Sequence, residues 1–480
     1  MTTDRQHYGA TLGVLTVAAS AFAVQQTLVF PALPALQREL GVSAVWSTWV
    51  LTIFLLSASV LTPILGKLGD QYGKERLLVI SLTLFLVGSV GAASAPGIGT
   101  LIFFRAVAGA GGAVFPLSFG IIRDEFPADR VKIGIGLLSS VWGIGGGIGV
   151  VSSGVIVDHL SWRWLFIAGA IPTAVVIVLV HFFVPESPVR NRAPLDLPGA
   201  LLFAGSLSSL LIGLTKSIDW GWTSVRSGSL FAAALLLAVG FVFFELRSDH
   251  PVIDVRLMTR RGVAIPNVAA LLTGFAMFGM FVLTPQFVEA PSHLAPARAS
   301  LVDYGLGASA TAAGLFLLPS SLMMLFAGPL AGVIGRRLGS KWPLASGLLL
   351  CALAAALLAR FHDRPEQIVA AMLLLGIGVG FAFSAMAALV TEGVPVTETG
   401  VATGVNTVMR TVGAVIGSQV MAAILAAHTI PVARVPTEDA FVAAFLLASI
   451  AAAIGAILGL LVTPLRKGAQ PVAQLAVHAK

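Results

Sequence analysis

Arg105 and Arg410 are the charged residues that lie deepest inside long apolar stretches of the sequence. Arg105 falls about eight residues into its stretch, roughly 12 Å of helical rise, and Arg410 falls near the middle of its own. A guanidinium at that depth costs a few kcal/mol or more unless it faces the protein interior or a wet cavity. Two uses are open to each: binding an anionic substrate or sensing the proton state of a neighbour, or clamping backbone carbonyls and amide side chains between helices. Asn406 precedes Arg410 by four residues and shares its helix face. Gln26, Phe30, Asn267, Gln286 and Gln419 are further polar or aromatic candidates for a cavity wall. No carboxylate occupies the middle of an apolar stretch; Asp70, Asp196, Glu245, Glu289 and Glu392 all sit at rims.

The elements that must position these groups are apolar helices. With 57% hydrophobic and 11% charged residues and a mean hydropathy of +0.94, the chain lacks the charge of a soluble globule. Apolar runs of about twenty residues recur throughout, which predicts a polytopic helical membrane protein rather than a β-barrel of short alternating strands. Fourteen spans are expected, an even number that puts both termini on one side. Most of the 29 Lys and Arg fall on that side, which predicts cytoplasmic termini in a plasma membrane. The net charge of +7 is therefore an orientation signal, not a nucleic-acid footprint. Cys351 is alone, no H-E-x-x-H or phosphate-binding loop occurs, and the G-x-G runs lie inside apolar spans. No enzyme, metal site, bound cofactor or ATP-driven pump is expected.

A repeat divides the spans. Pro63, Gly66, Gly69 and Gly73 in PILGKLGDQYGKER are matched in register by Pro329, Gly332, Gly335 and Gly339 in PLAGVIGRRLGSK. Each copy closes an apolar run and is followed by basic residues; Asp70 occurs only in the first, where the second has Arg336. Glycines at this spacing allow two helices joined by a very short turn to sit close. The repeat predicts two related halves: an N-terminal six-helix bundle over 1–185, a linker and inserted helix pair over 186–260, and a C-terminal six-helix bundle over 261–465. A tail over 466–480 remains.

GKLGDQYGKER resembles the loop between helices 2 and 3 of the major facilitator superfamily, and the six-plus-two-plus-six layout is similar to its fourteen-helix drug:proton antiporter branch. LIFFRAVAGAGGA (101–113) resembles the family's Arg-containing motif. Gly136, Gly145 and Gly149 followed by SWRWLFIAGAIP (161–172) resemble the antiporter segment, and LDLPGALL (195–202) resembles the opening of the inserted pair. The resemblance implies an all-α fold of two pseudo-symmetric bundles around a cavity that opens alternately to each side. It also implies that Arg105 serves coupling, and that Asp70, Lys74 and Arg76, with Gly66, Gly69 and Gly73, form a turn whose charge contacts hold the bundles together at one end.

The chain departs from that pattern at two places. Counting back from Pro34 in TLVFPALP reaches Gln25, where the branch usually has an aspartate, and Gln25 cannot titrate. Glu289 is the substitute carboxylate on position alone. In the fifth span the proline and double glycine of the antiporter signature are absent, although Gly145 and Gly149 remain; they read as a packing face or as a hinge that seals against leak. Trp46, Trp49 and Trp142 are expected as interface anchors or packing residues rather than substrate platforms. The function expected is monomeric efflux of small lipophilic or amphipathic molecules by alternating access, driven by a proton gradient. A carrier of an organic anion, favoured by two buried arginines without a buried acid, and a pore or non-transporting scaffold are the alternatives.

Overall fold

The computed structural model describes residues 8–29, 32, 36, 39–42, 44–187, 196–248, 251–290, 304–308, 310–430 and 435–462. Phe30, the linker over 188–195, most of the loop after Glu289 and the 466–480 tail lie outside the described residues. Among the described residues, fourteen helices are long and apolar enough to cross a membrane. In order they are α1 (Tyr8–Leu28), α2 (Ala44–Tyr72), α3 (Lys74–Ala93), α4 (Ile98–Glu125), α5 (Ala128–His159), α6 (Arg163–Phe183) and α7 (Leu197–Trp220). There follow α8 (Val225–Glu245), α9 (Arg261–Glu289), α10 (Ala310–Leu338), α11 (Lys341–Arg360), α12 (Pro365–Gly393), α13 (Thr399–Ala427) and α14 (Glu438–Leu460). At 1.5 Å per residue each reaches about 30 Å or more, the thickness of the hydrocarbon layer.

These helices are apolar on more than one face, so their outward sides remain apolar after folding. Ile171, Val175, Val178 and Phe182 on α6 and Leu235, Leu236 and Val239 on α8 are all exposed, an apolar surface of the kind that faces lipid. Inside, packing follows the repeat. α1 packs on α5 and α6, and α3 on α6; α9 packs on α13 and α14, and α11 on α14, the same pattern shifted by eight helices. The two six-helix bundles then meet through reciprocal pairs, α2 with α13 and α10 with α5. The inserted helices α7 and α8 pack on each other, and α7 lies against α2 and α13. This is the all-helical, duplicated arrangement the sequence predicts.

Two local features set the approach of helices near the centre. α2 and α3 are joined through Gly73 at φ 118°, and α10 and α11 through Gly339 at φ 94°, left-handed values that favour glycine at both copies of the turn. In α4 the run Gly109–Ala113 tightens into a 3-10 segment. There a Cβ on Gly109 would lie 2.2 Å from Ser57 Oγ, and one on Gly112 would lie 2.5 Å from Thr62 Oγ1, so the glycines are what bring α4 against α2.

Candidate functional site

The face at which α1 begins and α14 ends is closed by contacts between the bundles. Asp70, near the end of α2, is fully buried and points at the first turn of α13. The Gly400 N–H donates to Asp70 Oδ2 at 3.0 Å and Oδ1 at 3.2 Å, and the Val401 N–H donates to Oδ2 at 3.2 Å. The carboxylate thus satisfies free N–H groups at a helix N-terminus, where the helix dipole also favours an anion. Lys74 Nζ, equally buried, lies 3.3 Å from Asp70 Oδ1 and donates to Asp124 Oδ2 at 2.6 Å. Asp124 Oδ2 also accepts from the Ser187 hydroxyl. Lys74 therefore ties the turn to α4 within its own bundle, while Asp70 reaches across to the other.

Glycine register closes the same face. A Cβ on Gly66 would lie 2.5 Å from the Gly400 carbonyl oxygen, and one on Gly332 would lie 2.5 Å from that of Lys132. Further along the α5–α10 contact, Gly136 and Gly328 meet backbone to backbone. The two copies of the motif thus serve equivalent crossings, α2 on α13 and α10 on α5. Gly69 instead faces Leu117 of α4, and Gly73 faces the Glu186 carboxylate. Arg76 is exposed and its nearest acid is Glu186 Oε2 at 4.0 Å, so the structure does not place it in the contact between bundles. Two other cations are placed there. Arg123 donates to Val394 O at 2.8 Å and Thr399 Oγ1 at 2.6 Å, and Lys132 pairs with Glu392 at 2.7 Å and donates to Gly335 O at 3.1 Å. In the sequence both read as ordinary basic loop residues.

Past this seal, three small adjoining chambers lie between the bundles. The largest, about 110 Å³, is bounded by Gln26 and Leu55 on one side, Met277 and Phe278 on the other, and Trp142, Phe383 and Arg410 between them. A chamber of about 30 Å³ adjoins it at Gln26, Leu55 and Trp142, and one of about 10 Å³ adjoins it at Trp142, Phe383 and Arg410. Asn406 lines the smallest and is fixed by its amide, which donates to Pro266 O at 3.1 Å and to Asn267 Oδ1 at 3.0 Å. The Arg410 guanidinium lies 4.4 Å from the Phe383 ring centre and 4.9 Å from that of Trp142. Trp142 stacks in turn on Phe115 at 5.1 Å. Trp142 packs against the cores of both bundles, as expected of a packing residue, and also forms part of the cavity wall.

Arg105 is elsewhere. It is fully buried inside the first bundle, its guanidinium 3.9 Å from the Phe54 ring centre and its Nε donating to Val50 O at 3.1 Å. Its Nη1 and Nη2 have no hydrogen-bond partner among the described residues, and Arg105 does not line the chambers. Gln25 also turns inward: Ser89 Oγ donates to its Oε1 at 3.0 Å, and Gly169 of α6 packs on its amide. Adjacent residues on a helix point about 100° apart, so Gln26 faces the cavity while Gln25 faces its own bundle. Gly145 and Gly149 face α1 at Ala23 and Thr27, where Thr27 Oγ1 donates to Gly145 O at 2.6 Å. Glu289 and Gln286 are exposed at the opposite end of α9, and the structure does not bring Glu289 to the cavity. On that far face burial pushes the Tyr304 hydroxyl, which donates to Pro436 O, up to about 12, with the Glu438 charge adding to the shift.

A wider groove of about 390 Å³ runs on the lipid side between α5 and α10, along Gly143, Gly147, Ile148, Leu318 and Leu322.

Comparison with known proteins gives a consistent picture. The chain is 29% identical over 379 residues to the multidrug resistance protein Stp of Mycobacterium tuberculosis, covering 78% of this chain and 68% of that one. It is 25% identical over 397 residues to the tetracenomycin C resistance and export protein of Streptomyces glaucescens, covering 82% and 71%. The multidrug transporter protein MdtP of Bacillus subtilis is 25% identical over 81% of this chain and 70% of its own length. The crystal structure of the human organic anion transporter MFSD10 shares the fold, with a TM-score of 0.68 at 15% identity over 94% of this chain and 99% of that one. The Major Facilitator Superfamily model matches residues 15–299 and 267–476, and with the duplicated bundles and the cavity between them it is to this superfamily of membrane transporters that the chain belongs.

Proposed function

We propose that the protein is a multidrug-type efflux transporter that moves small lipophilic or amphipathic molecules out of the cytoplasm by alternating access. Its termini and the Asp70 seal face the cytosol, it works as a monomer in the plasma membrane, and a proton gradient drives it. The observation that carries this reading is the seal itself. Asp70 holds the N-terminus of α13 through hydrogen bonds of 3.0–3.2 Å to Gly400 and Val401. Such contacts break and re-form as a unit, which suits two states separated by a few kcal/mol. Proton coupling is supported by one feature: Asp70 is a carboxylate at the crossing between bundles, and a proton on it removes the charge that three N–H···O contacts and Lys74 act on.

The relatives named for drug resistance and export support the direction and the cargo class. The test is accumulation of a lipophilic fluorescent dye in proteoliposomes under an imposed pH gradient. Uphill accumulation that collapses with the gradient, and that falls at least tenfold in Asp70→Asn, is expected. Accumulation indifferent to the gradient removes proton coupling, and unitary conductance steps in a planar bilayer replace the carrier by a pore.

A further inference from the structure

Among the described residues Arg410 is the sole charged side chain lining the three adjoining chambers, and no carboxylate lines them. Among the described residues its guanidinium makes no hydrogen bond and no ion pair, and its contacts are the ring faces of Phe383 and Trp142 at 4.4 and 4.9 Å. A guanidinium stays charged at neutral pH, so the cavity carries one uncompensated positive charge. The two ring faces offset only part of the cost of taking the half-buried guanidinium out of water. The remainder is what a ligand of opposite sign would supply. The two threonine hydroxyls on its own helix do not compete for it: Thr407 Oγ1 donates to Thr403 O at 3.0 Å and Thr411 Oγ1 donates to Thr407 O at 3.1 Å, leaving only their lone pairs toward the cavity. The Ser59 and Ser139 hydroxyls, without a partner among the described residues, carry no charge. Arg410 is thus the strongest donor of the wall, and its planar fork matches a carboxylate or sulfonate.

The rest of the wall fits an apolar body. Phe278, Met277, Val282 and Leu55 continue from the arginine, and Trp142 and Phe383 offer ring surfaces beside it. We propose that the cargo of this cavity is an amphipathic organic anion, a carboxylate or sulfonate on an aromatic body, with the anionic group on Arg410 and the ring beside Trp142 and Phe383. The assignment rests on the transport reading only in taking the cavity as the cargo site. At about 110 Å³ the chamber is smaller than such a molecule needs, so binding requires the bundles to part. Arg105, fully buried where Arg410 is half-buried, has no such role, because Phe54, Phe166 and the Val50 carbonyl enclose it away from the chambers.

The test is calorimetric binding to the full-length protein in nanodiscs of phosphatidylcholine, with 2-naphthalenesulfonate, 2-naphthamide and a 2-naphthyl trimethylammonium salt as probes of one shape and three charges. The sulfonate is expected to bind at least about 30-fold tighter than the other two. Arg410→Gln is expected to erase that preference, while Arg410→Lys keeps the charge and loses about tenfold or less. Unchanged melting of both variants separates charge from folding, and phosphatidylglycerol in the nanodisc leaves the sulfonate affinity in place. The assignment is overturned if the sulfonate binds no tighter than the amide, absence of binding by all three included, if Arg410→Gln binds it as wild type does, or if phosphatidylglycerol displaces it. In each of those cases gradient-driven dye accumulation by wild-type proteoliposomes still decides the transport reading separately.

Discussion

Two arginines set deep in their spans by the sequence end in different surroundings, Arg105 fully buried and Arg410 half-buried, and the difference sorts their roles. Arg410 opens onto the shared cavity, whereas Arg105 is stacked on Phe54 and bound to the Val50 carbonyl inside one bundle. Arg105→Ala removes the side chain that holds α4 to α2 at that level and takes away the Val50 carbonyl's side-chain donor. We expect dye transport to be lost while membrane insertion is retained; transport within twofold of wild type would make the residue a packing element only. Gln25 poses a sharper test. Its Nε2 is buried without a partner among the described residues, so Gln25→Leu removes a desolvated amide and is expected to leave thermal stability unchanged or raised. Loss of more than half the transport rate in that variant would show that the amide serves coupling. The depth of both arginines was legible from spacing along apolar runs. Their facing was not, because helices that are apolar nearly all round give no stripe by which to tell cavity from bundle interior. For the same reason Gln25 and Gln26, one residue apart, could not be told from each other.

At the scale of elements, the crossings depend on backbone approach at glycines. Gly66→Val and Gly332→Val each place side-chain atoms within about 2.5 Å of the opposite backbone, at Gly400 and Lys132. Both are expected to prevent closure of the terminal face, so that a cysteine introduced at Asn406 becomes reactive toward a membrane-impermeant thiol reagent added on that face. Cys351 is fully buried and gives a silent background. A cysteine at Asn406 that stays as protected as in the parent would disprove the role of these crossings. The glycine register was readable in advance because it recurs, and so was the inserted pair. The cross-bundle donors Arg123 and Lys132 were not, because a basic residue at a helix end serves topology in any membrane protein. On the far face Tyr304 offers a pH test with a defined sign. Its ordinary value is 10.0 and its buried value is about 12, so its share of stability is intact below 10 and is lost as pH rises through 12. Tyr304→Phe should flatten that alkaline loss, seen as melting temperature against pH; an unchanged slope would exclude the hydroxyl as its source.

For the whole molecule, the duplicated contacts imply that the bundles move as units about the cavity. Asp70→Asn keeps the shape of the side chain but removes the charge that Lys74 and the N-terminus of α13 act on, so turnover is expected to fall at least tenfold while ligand affinity changes less than threefold. The opposite pattern would make Asp70 a binding residue. Rocking itself is read from one distance. Spin labels at positions 72 and 338, exposed and beside the two glycine turns, report the separation of the bundles on the terminal face. Two separations are expected in wild type, with Asp70→Asn shifting weight to the longer one; a single separation, identical in both proteins, would contradict alternating access.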